Sequence, residues 1–125
     1  MRKGFTLIEL VMVIVILGIL AATALPRFVD LSSRARENAA KGVLGSVRAA
    51  VAITYASNAA YGAANPTPAT IEAGMFQDNQ VPEEPYTPSN AVEIGTGTPT
   101  GTTGGWYYDS GNGRVYINHT AYSTY

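Results

Sequence analysis

The feature that most constrains this chain is an apolar stretch close to its start. Residues 5–25 form a run of 21 residues whose only polar members are Thr6, Glu9 and Thr23. As an α-helix rising about 1.5 Å per residue, this run reaches roughly 30 Å, the thickness of the hydrocarbon core of a bilayer. The sequence therefore predicts a helix that can cross a membrane.

The residues that flank this run predict its orientation. Arg2 and Lys3 stand in front of it, and basic residues beside a span keep that end in the cytoplasm, so the chain after Pro26 is expected to be exported. An ordinary secretory signal is disfavoured because the run is longer than a signal's apolar region and no Ala-x-Ala pattern with a linker follows before Pro26. A plain membrane anchor leaves Glu9 unexplained, because a carboxylate inside a span costs about 2.5 to 3.5 kcal/mol on insertion scales. We therefore expect Glu9 to meet a cation from another molecule.

The segment Lys3-Gly4-Phe5-Thr6-Leu7-Ile8-Glu9 resembles the processing signature of type IV prepilins and type II secretion pseudopilins, and most of all that of type IV major pilins. The resemblance covers about the first 30 residues. It implies that a prepilin peptidase cuts between Gly4 and Phe5 and methylates the new amine of Phe5. It also implies that Glu9 neutralises the amine of Phe5 in a neighbouring subunit during assembly.

Beyond the span, the apolar residues recur every three or four positions, which predicts that the helix continues with one apolar face. These residues are Phe28, Leu31, Ala35, Ala39, Val43, Val47, Val51 and Tyr55. Pro26 predicts a break or kink, because it lacks an amide hydrogen and its ring clashes with the preceding turn. Gly42 and Gly45 are interpreted as places where the helix packs closely on the rest of the protein, and Gly62 as the cap that ends it.

The C-terminal half predicts a small sheet, so the fold class is α+β: a pilin-like long helix packed on a small antiparallel β-sheet head. The clearest signal is a hairpin at residues 105–118, with Trp106 and Tyr108 on one face and Tyr107 exposed on the other. Residues 91–94 predict another strand, residues 67–74 a short helix, and residues 77–90 an ordered surface loop. The Thr/Gly-rich residues 95–105 predict a flexible connection, with O-linked sugar as the alternative. The expected domains are a leader at 1–4, a transmembrane and polymerisation helix at 5–26, its amphipathic continuation at 27–60, and a globular β head at 61–125.

Nothing in the sequence predicts catalysis, a metal site or a cofactor. The chain has no cysteine and a single histidine, His119, which we expect at the surface. Asp109 is interpreted as a turn residue in preference to a calcium ligand, because too few carboxylates accompany it. Charge is unevenly distributed: residues 27–48 carry five basic and two acidic side chains, whereas residues 49–125 carry Arg114 against six acidic ones. An acidic head makes nucleic acid an unlikely partner.

The leading hypothesis is a structural subunit of a type IV pilus, a fimbrium that serves adhesion, motility or uptake. As the resemblance implies, it would start in the bacterial inner membrane and end in an extracellular filament. Its partners would be copies of itself in a helical homopolymer, the prepilin peptidase, the assembly platform and minor pilins. Two alternatives stay open: a pseudopilin of a type II secretion system, and a monomeric membrane-anchored binding domain.

Overall fold

A computed structural model of the chain describes residues 4–125, apart from the side chains of residues 29 and 30. A helix, α1, spans Leu7–Ala60, and three strands follow: β1 at Val92–Gly95, β2 at Trp106–Asp109 and β3 at Arg114–Ile117. Short 3-10 turns lie at Ala73–Met75 and Thr120–Tyr122. By its internal contacts the chain divides into residues up to Ala35 and a head formed by Arg36–Tyr125. The predicted α+β fold with a long N-terminal helix and a small sheet is confirmed.

The helix contributes one face to the core of the head. Its buried side chains are Ala40, Leu44, Val47, Ala50 and Val51, a spacing of three or four that places them along one stripe. The predicted apolar face is right at Val47 and Val51 and wrong at Ala39 and Tyr55, which are exposed. Packing against the sheet decides that the face containing Leu44 is buried. The periodicity of the sequence alone does not distinguish this face from the adjacent one that contains Ala39.

One prediction about the helix interior, the close packing at Gly42 and Gly45, is wrong. The helix runs through Pro26 without a break, because a proline removes one backbone hydrogen bond while the turns on both sides keep theirs; a kink at this position stays a prediction. Gly42 and Gly45 do not provide close packing on the head: both are exposed, and a Cβ added to either would meet nothing within 4 Å. The predicted end is confirmed, since α1 stops at Ala60 and Gly62 follows with a φ of 75°.

The hairpin is confirmed, but the sheet is mixed. Strands β2 and β3 pair antiparallel with Trp106 opposite Ile117, whereas β1 pairs parallel to β2 with Val92 opposite Trp106. The prediction of an antiparallel sheet is therefore wrong for the β1–β2 pair. The connection from Gly95 back to Trp106 returns the chain to the starting end of β1, and a parallel pair results from such a crossover.

The crossover at residues 96–105 is held by hydrogen bonds on both sides, so the prediction of a flexible connection is wrong. Gly97 N donates to Asp109 Oδ2 at 3.0 Å, Gly104 N donates to Asn118 O at 3.1 Å, and Thr120 N donates to Gly101 O at 3.1 Å. Gly105 has a φ of 77°, and a Cβ there would collide with the carbonyl oxygen of Ala91. Only glycine fits this combination of positive φ and close backbone approach.

The core of the head lies between the helix stripe and one face of the sheet. Trp106, Tyr108, Val115 and Ile117 are fully buried there together with the helix residues and Ile71. Tyr107 was expected to be exposed on the reverse face, and this is wrong: it is 8% exposed and its hydroxyl end lies against Gly95. The sequence pattern identifies the two faces of a strand but not the loops that cover them.

The segment between the helix and β1 is irregular. The helix predicted at residues 67–74 is absent, because the chain there is committed to tertiary contacts instead: Pro68 and Ile71 are buried, and Tyr108 Oη donates to Pro68 O at 2.6 Å. The surface loop predicted at residues 77–90 is confirmed. It is fastened to the sheet by Trp106 Nε1, which donates to Pro82 O at 2.7 Å.

Candidate processing and assembly segment

The start of helix α1 forms a reciprocal cap between Thr6 and Glu9. Thr6 N and Thr6 Oγ1 donate to Glu9 Oε2 at 2.8 and 2.7 Å, and Glu9 N donates to Thr6 Oγ1 at 3.3 Å. This is a capping box, in which a hydroxyl and a carboxylate three residues apart satisfy free amides of the first turn. A carboxylate at this end of a helix is also favoured by the helix dipole.

Sequence reasoning overlooked Thr6 as a partner of Glu9. The signal was present, because Thr6-Leu7-Ile8-Glu9 has the Thr-x-x-Glu spacing of a capping box ahead of an apolar run. The cap therefore gives Glu9 a partner within its own chain, and the cation that it is expected to meet from another molecule stays a prediction. Among residues 4–125, however, the hydrogen bonds to this carboxylate all reach Oε2, and Oε1 accepts none. Glu9 keeps one oxygen for a further donor.

The first half of the helix presents apolar side chains on its whole circumference. Large exposed residues follow one another there: Leu7, Ile8, Leu10, Val11, Met12, Val13, Ile14, Val15, Ile16, Leu17, Ile19, Leu20 and Leu25. Within α1 lies an 18-residue window with a mean hydropathy of 2.7, no part of which is buried. By length and composition this helix can cross a membrane. A helix that is apolar all round requires a lipid or protein environment.

The predicted cleavage site lies just before the helix. Gly4 is exposed with no atom within 4 Å of a Cβ built on it, and Phe5 is 86% exposed. An open backbone of this kind suits the approach of a protease. Residues 1–3, which complete the predicted leader, lie outside the described residues.

Comparison with known proteins identifies the segment. The family model for the prokaryotic N-terminal methylation motif matches residues 1–25. The type IV narrow pilus major component PilA5 of Thermus thermophilus is 57% identical over 51 residues, which are 41% of this chain and 44% of that protein. A type IV major pilin protein of Neisseria gonorrhoeae is 38% identical over 88 residues, which are 65% of this chain and 53% of that protein. The start of the chain thus carries the prokaryotic N-terminal methylation motif, and the chain is similar to type IV pilins.

The chain is also similar to a protein of a secretion system. The type II secretion system core protein G of Pseudomonas aeruginosa is 42% identical over 60 residues, covering 48% of this chain and 42% of that protein. The chain thus spans about half or less of the length of these relatives. No solved structure is detectably similar to it. These similarities are to pilin-like structural subunits, and the matched methylation motif lies at residues 1–25.

In the head, the candidate metal residue Asp109 is a turn residue, as expected. It is 4% exposed, and its two carboxylate oxygens accept from Gly111 N at 2.9 Å and Gly97 N at 3.0 Å. Its carbonyl accepts from Gly113 N at 2.8 Å and closes the hairpin. Among residues 4–125 there is no group of three His, Cys, Asp or Glu side chains placed to hold a metal.

The other singled-out side chain, His119, is half-buried. Its Nδ1 accepts from Ala121 N at 3.1 Å and so caps the 3-10 turn Thr120–Tyr122, and its ring lies 5.0 Å from that of Tyr122. This histidine therefore has a local structural role.

The last residues of the described chain are fastened to the helix. Arg48 donates to Val115 O at 2.9 and 3.1 Å and to Tyr125 O at 2.6 Å. Tyr125 Oη donates to Glu37 Oε1 at 2.9 Å, and the Lys41 ammonium lies 4.2 Å from the centre of the Tyr125 ring. The hydrogen bond to Glu37 raises the pKa of both Lys41 and Tyr125, because Glu37 stabilises their protonated forms. No sequence pattern predicts this contact, since Arg48 and Tyr125 are 77 residues apart and Glu37 and Tyr125 are 88 residues apart.

Proposed function

We propose that this chain is a filament subunit of a type IV pilus, made as a membrane-bound precursor. In this proposal residues 1–4 are the leader, 5–26 the membrane and polymerisation helix, 27–60 its continuation, and 61–125 the globular β head. A prepilin peptidase cuts between Gly4 and Phe5 and methylates the amine of Phe5. The subunit then leaves the inner membrane and joins an extracellular filament that serves adhesion, motility or uptake.

One observation carries this proposal: a capped carboxylate stands at the start of a helix whose first half presents apolar side chains on its whole circumference. Among residues 4–125, the capping box satisfies Glu9 Oε2 and leaves Oε1 without a hydrogen bond. In an apolar environment a carboxylate remains costly unless a charged donor joins it. After cleavage, the amine of Phe5 in an adjacent copy is such a donor. Pairing Phe5 of one copy with Glu9 of the next also fixes the axial register between helices.

Pro26 has a role in this proposal even though the helix is continuous there. Because Pro26 has no amide hydrogen, the carbonyl of Ala22 lacks its usual helical donor. The turn before Pro26 therefore needs less free energy to unfold than the other turns of the helix. We expect the subunits to lose helix locally at this position when they pack together or when the filament is pulled.

A second candidate is a pseudopilin that assembles within a type II secretion system. The 42% identity to the core protein G of that system favours it. Both candidates use the same cleavage, methylation and helix polymerisation, with the inner membrane, an assembly platform and minor subunits as partners. They differ in where the filament is found.

The test is a comparison of Glu9→Gln and Glu9→Ala with the wild type and with Thr23→Ala, a control inside the same helix. Cells are sheared, filaments are sedimented, and the pilin in the membrane and filament fractions is identified by mass spectrometry. We expect wild-type filaments made of chains that begin at methylated Phe5, normal insertion of all variants, and a loss of filaments for the two Glu9 variants only. Normal filaments from Glu9→Ala, or a monomer that still begins at Met1, would refute the proposal. Filaments that form only within the cell envelope would favour the pseudopilin.

A further inference from the structure

The head carries two surface cavities of opposite charge that share no residue. The first, called the basic groove, has a volume of about 300 Å³ and lies between the helix and the hairpin; it is lined by Arg48, Tyr55, Pro68, Asn112, Arg114 and Val115, among others. The second, called the acidic surface, has a volume of about 350 Å³ and lies along the loop before β1; it is lined by Phe76, Asp78, Gln80, Pro82, Glu83 and Asn90, among others.

The basic groove carries positive charge, and the charge of Arg114 is uncompensated within the described residues. Arg48 and Arg114 are both exposed, and no acidic side chain is among the residues that line the groove. Arg48 donates to the main-chain oxygens of Val115 and Tyr125, whereas Arg114 takes part in no ion pair within the described residues. The floor of the groove is apolar, with Pro68 and Val115. Such a groove fits a protein surface that offers carboxylates beside apolar atoms.

The acidic surface has the complementary properties. Asp78 and Glu83 are exposed, no basic side chain lines this cavity, and Phe76 adds an apolar edge. The loop that carries them turns sharply at Asn79, which has a φ of 52°. The two exposed carboxylates are therefore held on a defined loop.

Hydrogen bonds to a buried carboxylate hold the loop that carries Asp78 and Glu83 in place. The buried carboxylate of Glu84 accepts from Tyr86 N at 2.6 Å, Thr87 N at 2.9 Å and Thr87 Oγ1 at 2.8 Å. Glu84 N also donates to Ser89 O at 2.8 Å. A preorganised loop binds at a lower entropic cost than a disordered one.

We propose that the basic groove of one copy of this chain binds the acidic surface of the next copy. This inference rests on the proposed filament function and adds the contact between heads. An open filament requires two different, complementary surfaces on each subunit, because a self-complementary patch closes a dimer. The basic groove and the acidic surface are two such surfaces. Because their charges are opposite, each can bind the other surface on a second copy of the chain.

Crosslinking provides the first test, since the chain has no cysteine of its own. The double variant Asn112→Cys/Gln80→Cys places one thiol at each surface, and sheared filaments are treated with a short thiol-to-thiol crosslinker. We expect dimers, trimers and higher multimers from this variant, and no multimers beyond dimers from either single variant. The matched control Asn112→Cys/Thr98→Cys has its second thiol at an exposed position outside both surfaces, and it should give no such series.

Charge reversal provides the second test. Arg114→Glu and Asp78→Arg should each lower the filament yield, because one exposed charge pair changes an association constant by up to roughly fivefold. The double variant Arg114→Glu/Asp78→Arg should recover filaments by restoring opposite charges across the contact. Glu72→Lys, which reverses an exposed acid outside both surfaces, should leave the yield unchanged. Higher salt should weaken the wild-type contact and the rescued one alike.

The outcomes separate this inference from the proposed function. If wild-type filaments form but the cysteine pair gives no multimers, or if the charge-swapped double variant is no better than the single ones, the contact between heads is refuted and the filament function stands. If small anions or another protein occupy the basic groove in intact filaments, the inference is refuted as well. If the wild type forms no filament at all, the proposed function is refuted, and the contact between heads is refuted with it.

Discussion

The hydroxyl of Tyr108 offers the sharpest test of how the head is held together. Its side chain is fully buried, and Tyr108 Oη donates to Pro68 O at 2.6 Å across 40 residues of sequence. Tyr108→Phe keeps the ring and removes this donor. Because the carbonyl of buried Pro68 then lacks its hydrogen bond, the loss should be about 1 to 3 kcal/mol of unfolding free energy. For a domain of this size that corresponds to a fall in Tm of roughly 4 to 8 °C per kcal/mol.

The same variant should change the dependence of stability on alkaline pH. Burial raises the pKa of Tyr108 above its ordinary value of 10.0, so the unfolded chain ionises at a lower pH than the folded one. The stabilisation is therefore complete below about pH 10 and is lost as the pH rises from there through the folded pKa. Tyr108→Phe should flatten this decline. It should not abolish it, because the pKa values of Tyr86 and Tyr125 are raised as well.

The assay uses the fluorescence of Trp106, which is the single tryptophan and is fully buried in the same core. The full-length chain in detergent is unfolded with denaturant at neutral and at alkaline pH. Tyr61→Phe serves as the control, since Tyr61 is 90% exposed and should leave both curves unchanged. Equal stability of Tyr108→Phe and the wild type at neutral pH, or an unaltered alkaline decline, would refute the role given to this hydroxyl.

Two further predictions concern glycines and use the same fluorescence assay. Gly105→Ala should cost about 2 kcal/mol or more, because the position combines a φ of 77° with a collision against the Ala91 carbonyl; Gly74→Ala, in open space, is its control, and equal effects of the two would contradict the reasoning. Gly42→Ala and Gly45→Ala should each stabilise the head by about 0.4 to 1 kcal/mol, because both lie on the exposed side of the helix where a Cβ meets nothing. A loss of stability there would show that these glycines are needed for packing after all.

The sequence by itself determined the parts that depend on neighbouring residues. The apolar run, the processing signature, the Gly62 cap and the hairpin around Asp109 could all be predicted, because each is encoded within one helix turn, one bilayer length or one tight turn. The Thr6–Glu9 cap belongs to the same class. Its Thr-x-x-Glu spacing lies within a single helix turn and is sufficient to predict it.

Only the tertiary structure decided which side each element shows to the core. The choice of Leu44 over Ala39, the burial of Tyr107, the parallel pairing of β1 and the absence of a helix at residues 67–74 all follow from contacts between distant parts of the chain. Local propensities differ by about 1 kcal/mol or less per residue. Burying one large side chain contributes about 1.5 to 3 kcal/mol, so long-range packing prevails wherever the two disagree.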